Sequence, residues 1–278
     1  MKRYDATNVY LLGGSAGIGL SAAKLFAARG ANVLLLARGD ARLRLAADEV
    51  TEAKAAGTQR VEWRTLDVSK HDEVRAIMAK AVTEFGRPDV VVNCAGRAYP
   101  RRFGDVTYEQ FDETMKINLY GAWNTCAALV PVMCGHGGHI VNVSSIVGFV
   151  GVYGYTDYAA SKFGLVGFSE ALRSEVKSHG IVVSVLCPPD TDTPGFEEEN
   201  RTKPDETKAI SASAKVMRPD AVARAMISGM EKGRFLIVPG VDGRLAHLAK
   251  RLVPGLVEHL MDRKIRSVRK PPAQGGAS

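Results

Sequence analysis

A chain of 278 residues, 46% hydrophobic and 24% charged, has the length for one large α/β domain that buries roughly three quarters of the surface exposed by its unfolded form, and not for a second full domain. Cys94, Cys126, Cys134 and Cys187 form neither a disulfide framework nor CxxC metal spacing, and a strand-like run arrives before any signal-like apolar region, so a reducing, cytoplasmic setting without a bound metal is expected. No apolar stretch approaches the roughly 18 residues of a membrane-spanning helix, and the net charge of +7 sits mostly in 244–278, so the near-neutral remainder excludes a nucleic-acid binder.

The first apolar run, 8–12 (NVYLL), reads as a buried parallel strand. Immediately after it stands Gly13-Gly14-Ser15-Ala16-Gly17-Ile18-Gly19, ahead of a helical stretch over 17–29. Gly13 can make the tight turn, Gly17 lets backbone approach a pyrophosphate, and Gly19 lets helix and strand pack closely, while the helix N-terminus favours phosphate. The second strand, 32–37, ends Leu36-Ala37-Arg38-Gly39. An arginine there suits a 2′-phosphate, hence NADPH or NADP+, although Asp40 two residues later could reach a ribose.

A helix over 41–56 leads to a strand at 61–66, closed by Asp67-Val68 where an adenine would lie. The next helix, 70–85, precedes a strand at 89–93, followed by Asn93-Cys94-Ala95-Gly96 with small residues for the side of a cofactor. A long helical stretch at 107–133 contains Asn118 within KINLYG, and a strand at 139–144 ends at Ser144-Ser145. Neighbouring strand residues face opposite ways; Ser145 is the expected site residue. The helix at 157–179 carries Tyr158-Ala159-Ala160-Ser161-Lys162, placing Tyr158 and Lys162 on one face. Gly30, Gly57, Gly86 and Gly180 stand as C-terminal stops of their helices. The sixth strand, 181–187, completes a pattern in which strand and helix alternate, as in a Rossmann-type doubly wound parallel sheet of about seven strands with helices on both faces.

A tyrosine near neutral pH needs help, since its free pKa is about 10. Lys162 and an oxidised nicotinamide would favour its phenolate, so that Tyr158 acts as proton donor to a carbonyl receiving hydride, Ser145 holds the carbonyl oxygen and Asn118 organises a water leading from Lys162 to solvent. GGSAGIG, NCAG, the KINLYG asparagine, Ser145 and YAASK, in this order and spacing, resemble the short-chain dehydrogenase/reductase family across residues 6–240. The resemblance implies those roles, hydride transfer from the B face, and nicotinamide contacts from Cys187-Pro188-Pro189-Asp190-Thr191-Asp192-Thr193. The backbone around Pro189 and the Thr193 hydroxyl would meet the carboxamide. It also implies a homo-oligomer, dimer or tetramer, built through 107–133 and 157–179. Leu12 stands where the family usually has threonine, and Pro189 where it usually has glycine; the proline stiffens its loop.

The segment 188–204 resembles the matching part of 3-ketodihydrosphingosine reductases, which implies a long-chain sphingoid ketone as substrate and NADPH-dependent reduction of its 3-keto group. A 3-ketoacyl thioester or a steroid is the alternative carbonyl, and an NADP-binding regulator without turnover the alternative class. An aminoketone calls for acids, and Asp190, Asp192, Glu197, Glu198 and Glu199 are candidates, against a solvated helix face for the Glu run. The catalytic domain is expected to span 1–243, with a substrate lid over about 190–215 that looks loosely specified beyond 195.

In 244–278, Arg244, Lys250, Arg251, Arg263, Lys264, Arg266, Arg269 and Lys270 face only Glu258 and Asp262. Leu245, Leu248, Leu252, Leu256 and Leu260 recur at helical spacing, predicting a basic amphipathic helix bent at Pro254, with a disordered end at PPAQGGAS. Such a helix suits peripheral contact of 244–270 with an anionic membrane or packing against the body or a partner subunit.

Overall fold

A computed structural model describes residues 4–212 and 214–269. Its seven strands are β1 (Asn8–Leu12), β2 (Asn32–Ala37), β3 (Val61–Thr65), β4 (Val90–Asn93), β5 (Gly138–Val143), β6 (Ile181–Leu186) and β7 (Leu236–Ile237). Their order across the sheet is β3-β2-β1-β4-β5-β6-β7, and every pair is parallel. A parallel sheet needs both faces covered, which is why the strands are almost continuously apolar. Val9, Leu11, Val33 and Leu35 point into a layer with Phe26, Val222 and Met226, while Tyr10, Leu12, Leu34 and Leu36 point into the opposite layer with Met78, Leu129 and Met133. Leu12 therefore serves the core, where it is 1% exposed.

The helices are α1 (Gly17–Ala27), α2 (Asp40–Glu52), α3 (His71–Glu84), α4 (Tyr108–Met115), α5 (Gly121–Met133), α6 (Thr156–Val176), α7 (Pro194–Thr202), α8 (Asp205–Ser211), α9 (Pro219–Glu231), α10 (Val241–Leu252) and α11 (Pro254–Val268). Three sequence expectations change. Helix α2 ends at Glu52, short of Gly57, because the chain there needs a turn before Gln59, whose amide Nε2 donates to the Ala27 and Ala31 carbonyls. The long helix over 107–133 is interrupted by a π-turn at Lys116–Tyr120, a local widening common at functional sites, and Asn118 lies in it.

The stretch after 195 is not loose. It forms α7 and α8, begun by Thr193, whose hydroxyl accepts from Phe196 N, and by Pro194 in the first turn. Lys203, 6% exposed, and the Thr207 hydroxyl, donating 2.7 Å to the Tyr153 carbonyl, fasten both helices to the body.

The basic C-terminal region is two helices broken at Val253, with Pro254 opening the second. Lys264 Nζ donates to the Ile210 carbonyl at 3.1 Å, and Arg269 reaches the Tyr153 hydroxyl at 3.3 Å, so α11 rests on α8. Val241, Leu245, Leu248, Leu252, Leu256 and Leu260 nevertheless remain exposed. Lys270 and the PPAQGGAS end lie outside the described residues. No described helix is long and apolar enough to cross a membrane.

Candidate active site

Strand order reverses beside β1, whose neighbours β2 and β4 lead away in opposite directions, and the crevice at such a switch point is where parallel sheets bind ligands. A cleft of about 690 Å³ opens there, along the carboxyl ends of the strands. One end is the glycine turn. A Cβ on Gly13 would stand 2.6 Å from Ala95 N, and one on Gly19 would stand 2.3 Å from Gly13 O, so these positions admit no side chain. Gly17 has φ +54° and would put a Cβ 2.8 Å from Thr193 Cγ2. Gly13, Ser15, Ala16, Gly17 and Ile18 line the cleft, whereas Gly19 acts behind it, through packing.

Arg38 and Arg42 both line the adjoining rim. Asp40 does not: its carboxylate accepts from Arg44 Nε at 2.7 Å and from Trp63 Nε1 at 3.2 Å. The rim is thus cationic, and the acid that could have met a ribose is committed elsewhere. Asp67 and Val68 follow. Burial opposes ionisation of Asp67, but hydrogen bonds from the Ser69 hydroxyl and backbone, with the Arg38 charge, hold its carboxyl below the usual range. Ala95 and Gly96 continue the wall. Asn93 departs from its expected place. Its side chain lies between strands, donating 2.8 Å to Asn142 Oδ1, because its alternation along β4 turns it away from the cleft.

The other end holds Ser145, Tyr158 and Lys162. Ser144 and Ser145 separate as strand alternation requires: the Ser144 hydroxyl donates to the Lys162 carbonyl, whereas Ser145 Oγ accepts from Val147 N and lines the cleft with Tyr158. Lys162 is 4% exposed, donates 2.8 Å to the Val143 carbonyl, and lies 5.6 Å from the Tyr158 ring centroid. Burial pushes its ammonium down to about 8, against the pull of Cys94 and Cys187.

Burial pushes the Tyr158 phenol up, and Glu199 and Asp190 push it further, with Ser145 opposing. The expected lowering by Lys162 is therefore not the main effect of the protein's own groups, because a buried phenol beside carboxylates is best neutral.

The Asn118 side chain is engaged on both its oxygen and its nitrogen. Its Oδ1 accepts from Arg97 N at 2.8 Å, and its Nδ2 donates to the Arg97 carbonyl at 2.9 Å and to Ser161 Oγ at 3.0 Å. The amide clamps the loop after β4 to α6. Beyond β6, Pro188, Pro189, Thr191 and Thr193 line the cleft as anticipated.

Arg42, Tyr155 and Phe196 also line the cleft and were not anticipated. Tyr155 stands three residues before Tyr158, the spacing of one helical face, which is the signal available in the sequence.

The short chain dehydrogenase family profile matches residues 7–204. The chain belongs to the short-chain dehydrogenase family. Among relatives of this short-chain dehydrogenase, a 3-ketodihydrosphingosine reductase of Dictyostelium discoideum is 37% identical over 264 residues, covering 90% of this chain and 78% of the relative. A 3-dehydrosphinganine reductase of Danio rerio is 38% identical, covering 87% and 73%. In structure it resembles an alcohol dehydrogenase from the archaeon Thermococcus sibiricus complexed with 5-hydroxy-NADP, with TM-score 0.73 and 25% identity, over 84% of this chain and 96% of that one.

Proposed function

We propose that this short-chain dehydrogenase reduces 3-ketodihydrosphingosine to dihydrosphingosine with NADPH. The observation that carries the reading is a single cleft joining a cationic rim, Arg38 and Arg42, to Tyr158, Ser145 and buried Lys162. The relatives' names supply the substrate. The cofactor fits the residues: Gly13 and Gly17 admit no side chain in the turn that, with Ser15, Ala16 and Ile18, lines the cleft where a pyrophosphate would approach, and the two arginines line the rim where a 2′-phosphate would lie. Asp67, Val68, Ala95 and Gly96 would flank the adenine side, and Pro188, Pro189, Thr191 and Thr193 the nicotinamide side.

Bound NADPH would supply the hydride to the ketone carbon. Ser145 holds the ketone oxygen, and Tyr158 gives its phenolic proton to that oxygen as negative charge develops on it. Burial and the nearby carboxylates keep the phenol protonated, as a donor requires. Lys162, the buried cation one turn away, stabilises the phenolate left behind until it is reprotonated. Asn118 positions the Arg97 loop against α6.

The enzyme is further proposed to be a homo-oligomer built through α4, α5 and α6, where Phe111, Trp123 and Phe163 are exposed. It would work in the cytoplasm, with α10 and α11 resting on an anionic membrane.

Purified protein should oxidise NADPH with 3-ketodihydrosphingosine, and faster than with an acetoacetyl thioester or a steroid ketone; lack of turnover with the first overturns the substrate. Tyr158→Phe should still bind NADPH while turnover falls by about 10²–10⁴. Unchanged turnover would remove Tyr158 from the chemistry.

A further inference from the structure

Helix α7 brings Glu198 and Glu199 to the cleft, and Glu199 is the more buried of the two. Glu199 lines the cleft with Asp190, Tyr155 and Tyr158. The Tyr155 hydroxyl donates 2.5 Å to Glu199 Oε1, and the Tyr155 and Tyr158 rings lie 5.6 Å apart, centroid to centroid. Behind the carboxylate, Lys203 Nζ stands 2.9 Å from the same Oε1 and 3.9 Å from Asp190 Oδ2, with the Phe196 ring centroid 4.4 Å away. The Lys203 side chain is 3% exposed and does not line the cleft.

Two carboxylates on one buried ammonium leave a net negative charge, on the side that the cleft reaches. The geometry also divides the oxygens. Both contacts to Glu199 use Oε1, and Oε2 has no hydrogen-bond partner among the described residues. A structural ion pair would need one carboxylate for Lys203. The second is surplus, and a surplus carboxylate at the wall of a cleft calls for a cation. Glu198 also reaches the cleft, but it pairs with Arg201 at 2.8 Å and its side chain is 46% exposed, against 15% for Glu199.

We propose that Glu199, with Asp190, binds the substrate's ammonium on the carbon next to the ketone, making this pair the determinant that selects an amino ketone over other long-chain ketones. The inference rests on the proposed reaction, in which the ketone oxygen lies at Tyr158 and Ser145. The ammonium is one carbon from the reacting centre, and Glu199 is one hydrogen bond from Tyr155, whose ring lies beside that of Tyr158. Lys203 and Tyr155 position the carboxylate, and Oε2 takes the ligand.

The test compares kcat/KM for 3-ketodihydrosphingosine with that for the same chain-length 3-ketone lacking the 2-amino group, with NADPH. The wild type should prefer the amino ketone. Glu199→Gln should lower the amino-to-desamino ratio by about tenfold or more, the size of a lost charge-assisted hydrogen bond. The loss should appear chiefly in KM.

Asp190→Asn, which leaves the Tyr155 contact in place, should lower the ratio in the same direction, and it serves if the Glu199 variant does not fold. A wild type that turns over both ketones without preference overturns the ammonium site while leaving the reductase reading intact. A ratio unchanged in the folded variants does the same. No turnover of 3-ketodihydrosphingosine by the wild type instead removes the reaction on which the inference rests.

Discussion

Lys162 shows what a catalytic residue costs the fold. Its ammonium is buried, its pKa is held at about 8 by that burial, and it donates a hydrogen bond to the Val143 carbonyl. Because the folded pKa lies below the unfolded value, Lys162 binds its proton more fully in the unfolded chain between about pH 8 and 10.5, so its contribution to stability rises with pH in that window. Below it, the charge is buried at full cost. Lys162→Met should therefore stabilise the protein at pH 7 by about 1–2 kcal/mol, the desolvation relief less the lost hydrogen bond, while turnover collapses. Denaturant unfolding at pH 7 and about pH 9 checks both parts: the variant's stability advantage over the wild type should shrink by about 1 kcal/mol on going up, since the buried thiols Cys94, Cys126 and Cys187 oppose the gain equally in both proteins. A difference between variant and wild type that does not change over this interval would show that Lys162 is not a destabilised cation.

At the scale of elements, the cleft is assembled by turns that touch each other across the sheet end. Gly17 opens α1 and meets Thr193, which caps α7, so the pyrophosphate turn and the substrate-side helix share one contact. Gly17→Ala combines a strained positive φ with a Cβ 2.8 Å from Thr193 Cγ2. It should weaken NADPH binding by about tenfold or more and cost about 1–3 kcal/mol of stability, read by fluorescence titration and thermal melting. Unchanged affinity would mean that the turn does not shape the phosphate site.

The sequence made most of this framework readable, for physical reasons. Strands buried on both faces are apolar throughout, and the glycine turn, Arg38, Ser145, Tyr158 and Lys162 lie within a few residues of strand or helix ends. Three features were not readable. Asn93 faces away from the cleft because a four-residue apolar strand does not reveal which face points where. Asn118 is clamped by Arg97 and Ser161, partners fixed by tertiary approach. Helices α7 and α8 look polar and loose in sequence because what orders them, Tyr155 to Glu199 and Tyr153 to Thr207, spans 44 and 54 residues.

For the whole molecule, charge and apolar surface coincide at the C-terminal end. Leu245, Leu248 and Leu252 on α10 and Leu256 and Leu260 on α11 are exposed, Leu252 at 70%, although α11 is anchored to α8 by Lys264 and Arg269. The anchoring uses the basic side chains' reach and leaves the leucines outward, and Lys250 links the two helices through Glu258 at 2.7 Å. A leucine stripe flanked by Arg and Lys matches the headgroup boundary of an anionic bilayer, where apolar burial and charge attraction add. The protein should float with phosphatidylglycerol vesicles and far less with phosphatidylcholine, and added salt should release it. Leu252→Asp with Leu256→Asp should cut the bound fraction's partition coefficient by about tenfold or more while leaving the melting temperature close to wild type, since both positions are exposed. Flotation that is unaffected by the double substitution, or indifferent to lipid charge, would assign this face to a partner subunit, and size-exclusion chromatography of the double variant would then show the oligomer dissociating.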